Sequence, residues 1–258
     1  NLGDTLDLAK EALINPTFPQ AEIDRIRNQT LASIVQEENR PASIAYRNIG
    51  KLLYVDSHPY GKPLTGSGLS NTISSITREN IIDLHARALS PNNLTFAVAG
   101  DIDLDALVDL LEDKFGSWKG NSSNKLKVFT TVALPSQRTV YLIDKPNAQQ
   151  SYIVAGQLLP PSATDEEIKL DYMNYAIGGS FTARLNMNLR EDKSWSYGVR
   201  TRLAAAKGQR AMLVTAPVQT DKTAESITEI VNEYSAYLGS TPVTLSLIHI
   251  SEPTRHSI

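Results

Sequence analysis

Residues 166–215 read EEIKLDYMNYAIGGSFTARLNMNLREDKSWSYGVRTRLAAAKGQRAMLVT, and the order of patterns in this stretch decides the fold class. Glu166 to Ala176 reads as a helix that stops at Gly178-Gly179, where two residues without side chains end a helix and permit a tight turn. Thr182 to Glu191 restores helical spacing, and Trp195 to Leu203 and Ala211 to Thr215 change to strand patterns rich in aliphatic and aromatic residues. Two helices followed by two strands, without strict βαβ alternation, argue for an α+β fold. Gly178-Gly179-Ser180 is neither the G-x-S-x-G turn of a serine hydrolase nor the start of a G-x-x-x-x-G-K-[ST] phosphate loop.

Working outward, the preceding half repeats the mixture. Helices are expected over 4–13, 22–38, 42–54 and 77–89, the last with Thr77 as N-cap. In the second of these, Ile23, Ile26, Thr30, Leu31, Ile34 and Val35 are expected to share one apolar stripe. Leu94 to Ala99 suits a buried strand, and Asp103 caps a helix whose Leu104, Leu107, Val108, Leu111 and Phe115 recur at helical spacing until Gly116. Residues 117–136, rich in Gly, Ser, Asn, Lys and Thr, read as a linker. Beyond it, Val140 to Ile143 and Tyr152 to Gln157 are expected strands, and Asp221 to Tyr237 a helix. The expected organisation is one domain piece over 1–116 and a second over 137–244.

The 258 residues carry a formal net charge of −3 and are 41% hydrophobic, enough for one large or two modest domains. A mildly acidic balance gives no electrostatic footprint for nucleic acid or an anionic membrane. With no cysteine there is no disulfide, thiolate nucleophile or Cys-based metal site. No apolar run approaches the roughly 20 residues a membrane-spanning helix needs. The chain opens at Asn1 without an initiator Met, which is read as an internal start, so a missing signal peptide carries no information. Leu245 to Arg255, LSLIHISEPTR, reads as a translated sequencing-adapter end, and 245–258 is set aside with His249 and His256. The remaining histidines, His58 in a Pro/Gly loop and His85 in a helix, have no second histidine three or four positions away. A turn role and a packed or surface role fit them better than metal ligation.

Several stretches, in order, resemble one family. His58-Pro59-Tyr60-Gly61, Ile76-Thr77-Arg78-Glu79, Leu84-His85, Pro91-Asn92-Asn93-Leu94 through Ala99-Gly100-Asp101, and Phe115-Gly116-Ser117-Trp118 make up the first set. Gly178-Gly179-Ser180-Phe181-Thr182-Ala183-Arg184-Leu185, Asn188-Leu189-Arg190-Glu191 and Trp195-Ser196-Tyr197-Gly198 make up the second. Single motifs are weak, but their order and spacing over about residues 1–244 resemble insulinase/pitrilysin-like zinc metallopeptidases and mitochondrial processing peptidase subunits.

That resemblance implies two similar α+β domains, both truncated here, from a chamber that encloses unfolded peptide. Active members carry an inverted H-x-x-E-H motif that would lie upstream of Asn1, and a Glu on a following helix completes their zinc site. Here the resemblance places that ligand position on Ser33 and an earlier supporting position on Ile26, neither a zinc ligand; Glu37, one turn on, is a substitute to test. No complete catalytic site is implied. Arg190 and Tyr197 match the pair with which such subunits hold substrate across the chamber, against the alternative of a surface Arg and a half-buried strand Tyr. The expectation is therefore a non-catalytic, substrate-binding partner of an H-x-x-E-H subunit, with zinc in that partner and peptide as substrate. A truncated catalytic chain and a structural homologue like the core subunits of the respiratory bc1 complex are the alternatives. Bacterial two-chain relatives are often exported, which points to the periplasm.

Overall fold

A computed structural model describes residues 2–120 and 129–242. Part of the expected linker (121–128) and the tail set aside above, with His249 and His256, lie outside the described residues. The described residues form two compact units, 2–33 with 69–120 and 34–68 with 129–242.

The first unit is helical. It contains α1 (Leu2–Ile14), most of α2 (Gln20–Glu37), α4 (Ser70–Ser75), α5 (Arg78–Ala88) and α6 (Leu104–Phe115). α5 starts where expected, because the Thr77 hydroxyl accepts from the Asn80 N–H while the Asn80 side chain accepts from the Thr77 N–H. Asp103 caps α6 by accepting from the Ala106 N–H at 2.9 Å. Arg78 ties the connection before α2 by donating to the carbonyls of Thr17 and Phe18. His85 packs edge-on to Phe18 and its Nε2 lies 2.8 Å from the Leu13 carbonyl oxygen, so it is a packed histidine.

Two expectations change in this unit. Leu94–Ala99 forms no strand among the described residues, with Phe96 and Val98 exposed. An isolated strand cannot satisfy its own backbone groups, and no second strand lies among the unit's described residues to pair with it. On α2, Ile23 and Ile34 are buried whereas Ile26 and Val35 are 53% and 59% exposed. At about 100° per residue the buried face is centred between Ile23 and Ile34, and Ile26 and Val35 fall on either side of it.

The second unit contains α3 (Pro41–Tyr54) and an antiparallel sheet of β1 (Gln150–Leu159), β2 (Arg200–Leu203) and β3 (Arg210–Gln219), in the order β1-β3-β2. Around the sheet lie α7 (Glu167–Asn174), α8 (Arg184–Asn186) and α9 (Thr223–Leu238). β3 is the middle strand and is covered on both faces, which its continuous apolar run anticipates. Val214, Ala216 and Val218 point into a core of Ile177, Leu185, Leu189, Val199 and Ile230. Ala211 and Leu213, one residue out of phase, face Leu158 and Tyr54 of α3. Full burial of each large aliphatic side chain here contributes about 1.5–3 kcal/mol.

The expected Trp195–Leu203 strand shrinks to Arg200–Leu203, preceded by a single bridge between Ser196 and Val218. Val140–Ile143 is not a strand: these four residues are exposed, Leu142 at 89%. α7 ends in a π-helical turn, Tyr175–Gly179, and α8 runs on into a π-helix, Met187–Asp192. Gly178 is required by a close approach, since a Cβ there would lie 2.5 Å from Thr201 Cγ2. His58 is 2% exposed, accepts from the Tyr60 N–H at Nδ1, and sets its Nε2 3.2 Å from the Thr130 carbonyl oxygen. The ring thus has the turn role the Pro/Gly loop suggests.

Candidate functional site

The family resemblance links three positions, Ser33, Ile26 and Glu37, to zinc. Ser33 lies on the exposed side of α2, and its hydroxyl donates to the Gln29 carbonyl oxygen one turn back at 3.0 Å. Ile26 has no donor atom. Glu37, at the end of α2, is committed elsewhere: its Oε2 accepts from Arg47 Nη1 at 2.8 Å and from Ser67 Oγ at 2.6 Å. Burial pushes its carboxyl up, but the bonds from Ser67, Arg47 and Thr65 outweigh that and hold it below the usual carboxylate value. Arg47 also donates to the Gly68 carbonyl oxygen, so the pair closes the 65–68 loop onto α3. No group of three or more His, Cys, Asp or Glu side chains with metal-binding placement exists among the described residues. The side chains at Ser33, Ile26 and Glu37 do not fit a zinc ion.

The segment from Gly178 to Val199 presents the other candidates. Three of its side chains, Leu185, Leu189 and Val199, are fully buried and anchor it to the sheet. Arg190, in the π-helix Met187–Asp192, lays its guanidinium carbon 4.3 Å from the centroid of the Phe181 ring. A cation over an aromatic face gains electrostatic attraction without using its N–H donors. One guanidinium nitrogen also lies 3.5 Å from the Glu191 carboxylate, an exposed pair of small energetic weight. Tyr197 occupies a bend after the Ser196 bridge, not a strand, and is 88% exposed. The bend is set by Ser196, whose hydroxyl accepts from the Gly198 N–H at 3.1 Å and donates to the Pro217 carbonyl oxygen at 2.6 Å.

Asn186 is 3% exposed, within the apolar core that flanks this segment. Its Nδ2 donates to the Phe181 carbonyl oxygen at 2.6 Å and its Oδ1 accepts from the Val199 N–H at 2.9 Å. Phe181 and Ser196 stand in the sequence only as members of the quoted motifs, and Asn186 lies outside them. The available signal was an amide directly after Leu185, on the inward side of a helical stretch where apolar spacing asks for a hydrocarbon.

The sequence profile described as "Peptidase M16 inactive domain" matches residues 75–244, more than half of the chain. An uncharacterized zinc protease of Mycobacterium leprae is 23% identical over 93% of this chain and 53% of its own length. The chain thus spans about half the length of the curated relatives it matches. Among solved structures, a peptidase M16 inactive domain from Pseudomonas fluorescens superposes with a TM-score of 0.85, at 22% identity, over 95% of this chain and 58% of that one. A protease from Helicobacter pylori superposes with a TM-score of 0.81, at 19% identity, over 97% of this chain and 60% of that one. At such identities the superpositions speak for the fold, which is the mixed helix-and-sheet architecture of the peptidase-chamber domains. The profile match extends through the Gly178–Val199 segment, and on that basis this chain belongs to the peptidase M16 family.

Proposed function

We propose that this chain is the non-catalytic, substrate-holding part of a zinc-dependent M16 endopeptidase, acting with a partner that carries the H-x-x-E-H motif and the zinc. The observation that carries this reading is Tyr197: a phenol 88% exposed, with no hydrogen bond among the described residues, on a bend fixed by buried bonds. A merely structural tyrosine would bury its ring or use its hydroxyl. Arg190, seven residues earlier, offers a fork of N–H donors beside Phe181. Together they supply donors suited to the carbonyl oxygens of an extended peptide and to the negative charge such an oxygen develops during hydrolysis. The donor sets at Ser33, Ile26 and Glu37 support the non-catalytic assignment, and disfavour a catalytic chain using Glu37.

The division into family-type domains at 1–116 and 137–244, joined by 117–136, is part of the same proposal, as is export to the periplasm. The deciding experiment co-expresses the chain with an H-x-x-E-H-bearing subunit and follows hydrolysis of an unfolded peptide. Arg190→Ala and Tyr197→Phe are expected to lower the rate on the order of 10²-fold, the usual effect of deleting a donor to a developing oxyanion. Unchanged rates in both variants would leave the structural homologue as the better reading.

A further inference from the structure

We infer that Asn186 is a positioning residue that sets Arg190 and Tyr197 in one fixed arrangement; this rests on the substrate-holding reading above. Its carboxamide is spent on two backbone groups, one in the residue whose ring carries Arg190 and one two residues after Tyr197. The Nδ2 proton goes to the carbonyl of Phe181, whose ring carries the Arg190 guanidinium at 4.3 Å. The Oδ1 atom takes the N–H of Val199, two residues after Tyr197. On the other side of Tyr197, Ser196 fastens the same bend to β3 through the Pro217 carbonyl.

Packing alone does not ask for an amide at this position. The neighbouring core is Ile177, Leu185, Leu189 and Val199, where a leucine would fill space without the cost of burying polar atoms. An amide presents a donor and an acceptor from one rigid plane, so it can hold the Phe181 loop and the Tyr197 bend at a set separation. Losing it leaves the buried Val199 N–H and the Phe181 carbonyl without this partner and uncouples the Phe181 loop from the Tyr197 bend. The N–H groups of Trp195 and Ser196 donate to the Leu189 carbonyl and so tie the backbone beside Arg190 to the bend, whereas Asn186 joins that bend to Phe181, the ring on which the Arg190 guanidinium rests.

The test uses the whole 258-residue chain, a fluorescein-labelled unstructured peptide as probe, and two readouts. One is peptide affinity by anisotropy. The other is the NMR resonance of the Arg190 Nε–H, which the Phe181 ring current displaces, with core methyls of Ile177 and Leu189 as the control for folding. Asn186→Leu is expected to weaken the peptide about tenfold, the size of one lost buried hydrogen bond. It should also return the Arg190 resonance toward that of free arginine and leave the core methyls in place. In an Arg190→Ala background the same change should add less than about twofold, because linked residues do not act additively. Asn186→Asp keeps the shape, and only its neutral form carries the donor to Phe181. Its affinity and its Arg190 resonance are therefore expected to step together with pH, while the wild type shows no such step. That variant decides the matter if the leucine variant does not fold.

An Arg190 resonance unmoved in both Asn186 variants, or a leucine effect fully additive with Arg190→Ala, overturns the positioning role. If Arg190→Ala and Tyr197→Phe themselves leave the affinity unchanged, the substrate-holding reading has failed instead. The resonance then still reports whether Asn186 sets Arg190.

Discussion

Glu37 and Arg47 form a salt bridge at 2.8 Å in which the same carboxylate oxygen also accepts the Ser67 hydroxyl at 2.6 Å. The pair joins the end of α2 to α3 and to the 65–68 loop, and it makes that stability pH-dependent. The folded carboxyl lies below its reference value of 4.5. Its contribution is therefore fully present above about pH 4.5 and is lost as the pH falls through the lower folded value. Urea midpoints measured from pH 7 to pH 3 should fall more steeply below that point in the wild type than in Glu37→Gln. The variant should start from a lower midpoint at pH 7. Parallel curves would show that the bridge contributes nothing.

The same commitment of Glu37 gives an expectation about metal. A carboxylate that must first release Arg47 and Ser67 is a poor ligand, and Ser33 is a neutral hydroxyl. Calorimetric titration with zinc chloride should give the same heats for the wild type and Glu37→Gln. A site present in the former and missing in the latter would reinstate Glu37 as a ligand.

Phe181 is 52% exposed yet lies under the Arg190 guanidinium. Contacts of this kind at exposed sites contribute about 0.5–1 kcal/mol. Phe181→Leu should thus weaken labelled-peptide binding about two- to fivefold, with thermal unfolding little changed. No change in affinity would mean that the ring does not orient Arg190.

Gly178 faces Thr201, whose Cγ2 and Oγ1 would lie 2.5 and 2.7 Å from an added Cβ. Thr201 is itself buried at 3% exposure, so it has little room to yield. Gly178→Ala should cost about 1–3 kcal/mol, the usual range for overpacking. Adding Thr201→Ala should recover part of that, and denaturation of the two single variants and the double variant measures it.

Arg210 is 2% exposed and forms two parallel 2.7 Å hydrogen bonds with the Glu167 carboxylate. The Arg210 bond holds the Glu167 carboxyl below its usual value. Glu167→Gln leaves a buried charge without its counterpart, so its melting temperature should drop. Arg210→Met combined with Glu167→Gln should regain much of the loss, because the penalty comes from the uncompensated charge. A double variant worse than the sum of the two singles would contradict this account.

Much of the helical half was legible in the sequence because its signals are local. Thr77 and Asp103 cap their helices as their side chains require, and Pro41 occupies the first turn of α3, where its missing N–H costs nothing. The strands expected at 94–99 and 140–143 do not form among the described residues. Their apolar content was visible, but a strand exists only with a partner, and partnership is a non-local property. The candidate pair at Arg190 and Tyr197 was legible only through its motif. Periodicity placed Tyr197 in a strand, whereas Ser196 and Asn186 hold it on a bend.

By itself the sequence determined the α+β class and the family resemblance, and it carries the residue types at Ser33, Arg190 and Tyr197 on which the proposed role rests. These follow from residue types and short-range spacing, which need no neighbour to be read. Tertiary structure alone decided that Glu37 is tied to Arg47, that Arg190 rests on Phe181, and that Asn186 spans the two segments. The second depends on which ring the chain brings beneath the guanidinium, and the first and third on which polar group finds which partner across 5 to 30 residues of chain. That choice is made by the cost of leaving such groups unpaired in a packed interior.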